Sequence, residues 1–91
     1  MNFRRVDGKN MYVARLGLVN VMKSYDTIIV IITKEGTFIN QDYHDISKTT
    51  SRHKNLYLGV DSKEFQKRCK NGVYHLLPHN EIMEMYYSYI S

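Results

Sequence analysis

The chain has 91 residues, a formal net charge of +4 at neutral pH, 43% hydrophobic residues and 24% charged residues. This length and composition indicate one small globular domain, residues 1–91, and exclude both a disordered chain and a deep cleft between two domains. The longest apolar run, residues 28–32, is far shorter than the roughly 20 residues of a membrane-spanning helix, so no membrane partner is expected. No signal-peptide pattern is present and Cys69 is the only cysteine, so we expect a cytoplasmic protein without disulfides.

The first half of the chain predicts β-strands. Residues 11–22 are rich in strand-forming side chains, and Gly17 interrupts them. Five consecutive β-branched apolar residues lie within residues 25–33 and predict a central strand that is covered on both faces. Residues 34–36 predict a turn with Gly36 at positive φ, and residues 37–39 predict a strand that pairs back. We therefore expect an antiparallel meander of about three strands.

Two short helices are predicted next. Ser47 or residues 49–50 supply the hydroxyl cap of a helix that stops at Gly59, because glycine adopts the left-handed conformation that ends helices. Asp61 has the spacing of a capping box and begins a second helix, which ends at residues 71–72.

The end of the chain predicts one more helix, after a brief extended segment at residues 73–77 that Pro78 closes. Asn80 is expected to cap this helix. Its apolar residues recur at helical spacing and form a face that docks on the sheet: Ile82, Met85, Tyr86 and Tyr89. The fold class is therefore α+β, with strands first and a C-terminal amphipathic helix packed on them.

Two segments carry a resemblance: Ser24-Tyr25-x-Thr27-x-x-Val30 and Ser47-x-Thr49-Thr50-Ser51-x-His53. Their order resembles a family of short, mostly uncharacterised proteins of bacteriophages and other mobile elements. The family carries a SY-x-T-x-V strand and a TTS-(K/R)-H helix start. The resemblance covers roughly residues 24–90, with Ile46 where the family usually has an aromatic residue.

This resemblance implies an α+β fold and a phage or prophage setting inside a bacterial host cell, without an established reaction. Small phage proteins made in the infected cell often act by binding, and inhibitors of CRISPR–Cas immunity are prominent among them. The expected function is therefore inhibition of a host defence complex rather than catalysis, an inference from genetic setting and not from any residue.

A nucleophilic site is the first alternative. Ser51 and His53, two residues apart on a helix, point about 200° apart and cannot share a proton. Thr50 and His53 can meet, which leaves a small hydrolase centred on His53 as an alternative function. No acid is placed to orient the imidazole, and His53 shares a helix face with Leu56 and Tyr57. We therefore expect His53 to pack in the core, and we expect no catalytic residue.

Metal binding is the second alternative. His75 and His79 have the spacing of a helical metal pair, but Pro78 lies between them in a strand-like segment. His44 would join them only if the fold happened to bring it close to both. We expect these histidines to be hydrogen-bonding surface residues, with no metal and no cofactor.

The second predicted helix carries a lysine stripe at Lys63, Lys67 and Lys70, opposite Phe65 and Cys69. Such a stripe is often a solvated surface, and otherwise it binds an acidic protein surface or a nucleic acid. A nucleic-acid-binding regulator is therefore a further alternative. It requires aromatic residues for stacking, and the candidates are Tyr43, Tyr57 and Tyr74.

The last helix has apolar residues on more than one face. If the face described above docks on the sheet, Met83, Tyr87 and Ile90 remain partly exposed. An exposed apolar stripe on a small domain suggests a homodimer or a protein partner. The expected partner is a host protein or ribonucleoprotein complex, contacted through this stripe and the lysine stripe.

Overall fold

A computed structural model describes residues 2–90 and shows one six-stranded mixed sheet with three helices. The strands lie in the sheet in their chain order, β1 to β6. Their bounds are β1 Arg4–Arg5, β2 Met11–Leu16, β3 Val19–Ser24, β4 Thr27–Thr33, β5 Gly36–Asn40 and β6 Tyr74–Leu77.

The first five strands form an antiparallel meander, as the sequence predicts, but with more strands than the three expected. Gly17, at φ 61°, turns β2 into β3, so that residues 11–22 form two strands. The two-residue strand β1 is too short to show a period in the sequence. Gly36 has φ 143° and begins β5 directly after the predicted turn.

The sixth strand, β6, pairs with β5 in parallel, and the two lie on either side of a long crossover that contains α1 and α2. Within the predicted extended segment, residues 73–77, the strand covers Tyr74–Leu77. Their place in the sheet is a long-range pairing, in which Thr37 lies opposite Tyr74 and Asn40 opposite Leu77. The sequence around a strand does not show which strand it pairs with in parallel, because parallel neighbours are joined by a crossover and not by a turn.

Strand β4 is the centre of the core, and its residues Ile28 to Ile31 are all buried. Ile28 and Ile31 pack on one face of the sheet. Ile29 and Val30 both pack on the other face, because the register shifts at Met22 and a β-bulge places two adjacent residues of β4 opposite one of β3. The prediction of a central strand covered on both faces is confirmed.

Helices cover both faces of the sheet. Their bounds are α1 Lys48–Leu58, α2 Ser62–Lys70 and α3 His79–Ile90. Helices α1 and α2 lie on the face of Ile29, where Phe65 is 1% exposed and Cys69 packs beside it. Helix α3 lies on the opposite face, where it buries Ile82 against Ile28 and Ile31. The predicted docking of the C-terminal helix on the sheet is confirmed.

Helix starts and stops follow the predicted chemistry in α1 and α2. The Ser47 hydroxyl accepts a hydrogen bond from the Thr50 N–H, and Gly59, at φ 69°, ends α1. The Asp61 carboxylate accepts from the Glu64 N–H at 2.7 Å and begins α2. Among the described residues, no helix combines the length and the apolar character that crossing a membrane requires.

Two local predictions about the helices are wrong. Helix α3 does not begin after an Asn80 cap. It begins at His79, because the carbonyl of Pro78 accepts the Ile82 N–H and the carboxylate of Asp42 accepts the His79 N–H at 2.8 Å. In α1, Leu56 does not join the core face with His53. It is 57% exposed, and the buried positions are Thr50, His53 and Lys54.

Candidate functional site

The two segments that carry the resemblance, residues 24–30 and 47–53, meet in the fold, although 16 residues lie between them in the chain. Ser24, the last residue of β3, is 2% exposed. Its Oγ lies 3.1 Å from Thr50 Oγ1 and 3.0 Å from His53 Nδ1, both on α1. Residues of both segments therefore form one polar cluster, which we call the Ser24 cluster: the buried Ser24, Thr50 and His53, and the exposed Ser47.

The hydrogen bonds of the Ser24 cluster form a chain. Ser47 Oγ donates to Thr50 Oγ1 at 3.2 Å, and it accepts the Thr50 N–H at 3.1 Å. Burial lowers the pKa of His53, and the positive charges of Lys9 and Arg52 lower it further. A neutral imidazole with an unprotonated Nδ1 accepts a hydrogen bond from Ser24. In this arrangement Ser47 donates to Thr50, Thr50 donates to Ser24, and His53 is the final acceptor.

The geometry of the Ser24 cluster fits a structural role better than a hydrolytic one. Both contacts of Ser24 Oγ are inside the protein, and the neighbouring charges at His53 are cationic. Within residues 2–90, no carboxylate hydrogen-bonds or forms an ion pair with His53, so the third member of a catalytic triad is not in place. His53 packs in the core as predicted. The sequence reasoning missed its partner Ser24, which lies on a strand far away in the chain.

A small open pocket of about 220 Å³ lies beside the Ser24 cluster. Ser24 and Thr50 contribute to its lining, and Tyr25 and Ile46 lie at its exposed edge, 48% and 63% exposed. Tyr25 has φ 54°, a left-handed conformation that is uncommon for a bulky residue. This conformation results from the tight turn between β3 and β4. The turn places the Tyr25 ring beside the His53 ring, with 6.3 Å between the ring centres.

A second buried polar cluster joins α1 to the loop before it. Lys54 is 3% exposed, its Nζ donates to His44 Nδ1 at 3.1 Å and lies 3.6 Å from the centre of the Phe65 ring. Burial lowers the pKa of Lys54, and burial together with the Lys54 charge lowers the pKa of His44. The expectation that His44 lies at the surface is wrong, since it is 8% exposed and its ring packs at a tilt against Phe65, with 5.2 Å between the ring centres.

The other two histidines considered as metal ligands, His75 and His79, make different contacts. His75 is exposed and stacks on Phe38 at 5.2 Å. His79 Nδ1 accepts from Asn40 Nδ2 at 2.9 Å, and the fully buried Asn40 also donates to the Ile28 carbonyl. Residues 2–90 contain no cluster of histidine, cysteine or acidic side chains that could hold a metal ion.

The lysine stripe lies on the outer side of α2, where Lys63, Lys67 and Lys70 are exposed. Acidic groups lie within the same surface, because Asp61 and Glu64 border a shallow depression with Lys63 and Lys67. Glu64 is also paired with Arg68 at 3.0 Å.

Tyr74 does not supply the aromatic face that the nucleic-acid alternative required. It is 5% exposed, and its hydroxyl accepts from Arg68 Nη1 at 3.1 Å. Tyr43 and Tyr57 are half-buried and pack against the core cluster on the α1 face of the sheet. Their rings are therefore only partly open to a ligand.

The three residues of the apolar stripe of α3 are at least partly exposed, as expected, but to different degrees. Tyr87 and Ile90 are 56% and 38% exposed, whereas Met83 is half-buried and packs against the cluster around Ile82. Because α2 and α3 cover opposite faces of the sheet, the lysine stripe and the α3 stripe lie on opposite sides of the molecule. A single flat partner surface does not contact both.

A third surface, which the sequence reasoning missed, is a concave groove of about 540 Å³. It lies between strands β1 to β3 and the end of α1, and its polar lining consists of Asn2, Arg4, Arg15, Asn20 and Tyr57. The signal that would have found it is strand alternation: Val13 faces the core, so Arg15 two residues later lies on the same face of the sheet.

Comparison with known proteins assigns a family. Residues 3–73 match the model of a family described as "Family of unknown function (DUF8033)". The match spans β1 to the end of α2 and includes both segments that carry the resemblance. Neither the search of curated proteins nor the search of solved structures finds a match. Since the matched region covers well over half of the chain, the chain belongs to the DUF8033 family.

Proposed function

We propose that this protein acts by binding a macromolecular partner and not by catalysis. The observation that carries the proposal is that the hydroxyls and the imidazole of the Ser24 cluster hydrogen-bond to one another, with Ser24, Thr50 and His53 buried. The residues that look reactive in the sequence serve to join β3 to α1. The exposed side chains that could contact a partner include the lysine stripe on α2 and a few apolar residues, among exposed acidic residues.

We infer that its setting is the cytoplasm of a bacterial host, as an accessory protein of a phage or mobile element. The support is the resemblance carried by residues 24–30 and 47–53. The proposed partner is a host defence complex, with a CRISPR–Cas effector as the first target to test. The lysine stripe on α2 offers contacts to an acidic surface, and Tyr87 and Ile90 on α3 offer an apolar contact to a protein or to a second copy of the chain.

The test is a plaque assay in immune host cells that express the protein, followed by target cleavage with the purified effector. The expected result is restored plaquing of a targeted phage and reduced cleavage with at least one effector type. A matched pair locates the contact: Lys67→Glu on α2 and Lys34→Glu on the exposed turn between β4 and β5 carry the same charge change. Only the first should weaken inhibition.

Absence of protection across effector types would contradict the proposed target. In that case affinity capture from the host cell, with the wild-type protein and the Tyr87→Ser variant in parallel, identifies the partner that depends on the α3 stripe. Equal inhibition by both charge variants would remove the lysine stripe from the interface and leave the α3 stripe to be tested in the same way.

A further inference from the structure

The net charge of the protein is unevenly distributed. The first 23 residues contain five lysine or arginine residues and one aspartate, whereas the remaining 68 residues contain eight of each sign. The whole excess of +4 therefore lies on strands β1 to β3 and the turns between them. A concentrated positive charge attracts polyanions at long range, and it does so more effectively than the same charge spread over the surface.

The groove described above lies on this positive part of the sheet. Arg4 pairs with Val13 across β1 and β2, and Arg15 pairs with Asn20 across β2 and β3. Directly paired residues of antiparallel strands point to the same face, so these side chains form the floor of one groove. Tyr57 of α1 forms its wall. The described residues that line the groove include no aspartate or glutamate, in contrast to the lysine stripe on α2.

The chemistry of the lining fits nucleotides. Guanidinium groups bind phosphate oxygens through two parallel hydrogen bonds, and carboxamides hydrogen-bond to base edges. Arg15 is already oriented, because its Nε donates to the Gly17 carbonyl at 3.0 Å. Asn2 and Asn20 offer the carboxamides, and the half-buried ring of Tyr57 offers an aromatic surface. We propose that this groove binds a single strand of RNA or DNA.

A single strand fits this groove better than a duplex or an acidic peptide does. Proteins read duplex DNA by inserting a helix or ribbon into it, whereas this site is concave and receives the ligand. An acidic peptide would satisfy the two arginines, and its backbone would pair with the carboxamides, but its acidic side chains offer no planar ring to stack on the aromatic wall. A single strand supplies both phosphates and exposed bases, and the groove of about 540 Å³ has the size of a small-ligand site.

Fluorescence anisotropy with labelled 20-nucleotide poly(U) and poly(dT) tests the proposal, with a 20-base-pair duplex and poly-glutamate as competitors. The decisive variant is the double substitution Arg4→Gln/Arg15→Gln. Its matched control is Lys34→Gln/Lys48→Gln, which removes the same charge from exposed positions outside both the groove and the lysine stripe. We expect the groove variant to bind roughly tenfold more weakly or worse, and the control to change affinity less than about threefold.

The salt dependence gives a second readout. For single strands, the slope of log K against log salt is about 0.7 per phosphate contact, so loss of two contacts should lower it by roughly 1.4. Asn20→Asp is a further variant that keeps the shape of the side chain and adds a negative charge to the groove. It should weaken binding as well, and it keeps the test decisive if the arginine variants fold poorly by circular dichroism.

Three results would overturn the proposal. They are no binding of the wild-type protein to either single strand, equal loss of affinity in the groove variant and the Lys34/Lys48 control, and duplex or poly-glutamate binding as tight as single-strand binding. The groove is a different surface from the α2 and α3 stripes proposed for the host complex. Inhibition by a protein that binds no single strand would therefore remove the groove proposal and leave the proposed function standing.

Discussion

The Ser24 cluster should contribute measurably to stability, and Ser24→Ala tests this. The substitution removes one buried oxygen and with it the contacts to Thr50 Oγ1 at 3.1 Å and His53 Nδ1 at 3.0 Å. Each hydrogen bond contributes about 0.5–1.5 kcal/mol net, and leaving buried partners unsatisfied adds to the loss. We expect the free energy of unfolding to fall by about 2–4 kcal/mol, which is a large part of the roughly 5–15 kcal/mol of a typical domain.

The measurement is urea denaturation followed by circular dichroism, with thermal unfolding beside it. For a domain of this size, 1 kcal/mol corresponds to about 4–8 °C, so the midpoint should fall by roughly 10–25 °C. The control is Ser88→Ala on the exposed side of α3, where the hydroxyl only donates to the Met85 carbonyl at 2.7 Å. That variant should change stability by less than about 0.5 kcal/mol, since alanine favours the helix.

A double-mutant cycle with Thr50→Val separates the cluster from the loss of a single group. If the chain of hydrogen bonds acts as a unit, the coupling energy should lie in the range of about 0.5–3 kcal/mol. A loss at Ser24 no larger than at Ser88, or a coupling near zero, would refute the structural role. The same variant addresses catalysis: wild type and Ser24→Ala should hydrolyse p-nitrophenyl acetate at equal rates, because Ser24 is not a nucleophile in this view.

Three further predictions follow from buried and strained positions. Burial lowers the pKa of His44 and of His53, so below about pH 6.5 the unfolded chain takes up protons that the folded chain does not. The free energy of unfolding should therefore fall on acidification from pH 7.5 to 5.0. If His53→Gln leaves the pH dependence of the unfolding free energy unchanged, His53 does not contribute to it. Asn40→Ala removes four hydrogen bonds of a fully buried amide and should destabilise by about 3 kcal/mol or more in urea denaturation. Gly59→Ala should cost about 1–2 kcal/mol through backbone strain alone, since φ is 69° and no atom lies near the added methyl group, and Gly59→Asn should cost less in the same assay.

Local patterns predicted the elements that local forces determine. The Ser47 and Asp61 caps, the Gly59 stop and the central strand at residues 27–33 each depend on neighbours within a few positions, and all are where the sequence placed them. The parallel pairing of β6 and the start of α3 at His79 depend on residues more than 30 positions away, Thr37 for the first and Asp42 for the second. No pattern within one segment carries that information.

The contacts of the polar residues were also beyond what local sequence patterns predict. A histidine on an apolar helix face predicts burial, and His53 is buried, but the group that satisfies it is Ser24 on a strand. Lys54 is a charged residue in a helix, which favours an exposed position, yet it is buried over Phe65 because the loop before α1 brings His44 to its ammonium group. The groove was missed for the opposite reason: Arg4 and Arg15 look like ordinary surface residues until three strands and Tyr57 bring them to one concavity. Buried polar residues thus mark where the fold is joined, and the exposed cations that the fold gathers in one concavity mark the surface that we propose as a ligand site.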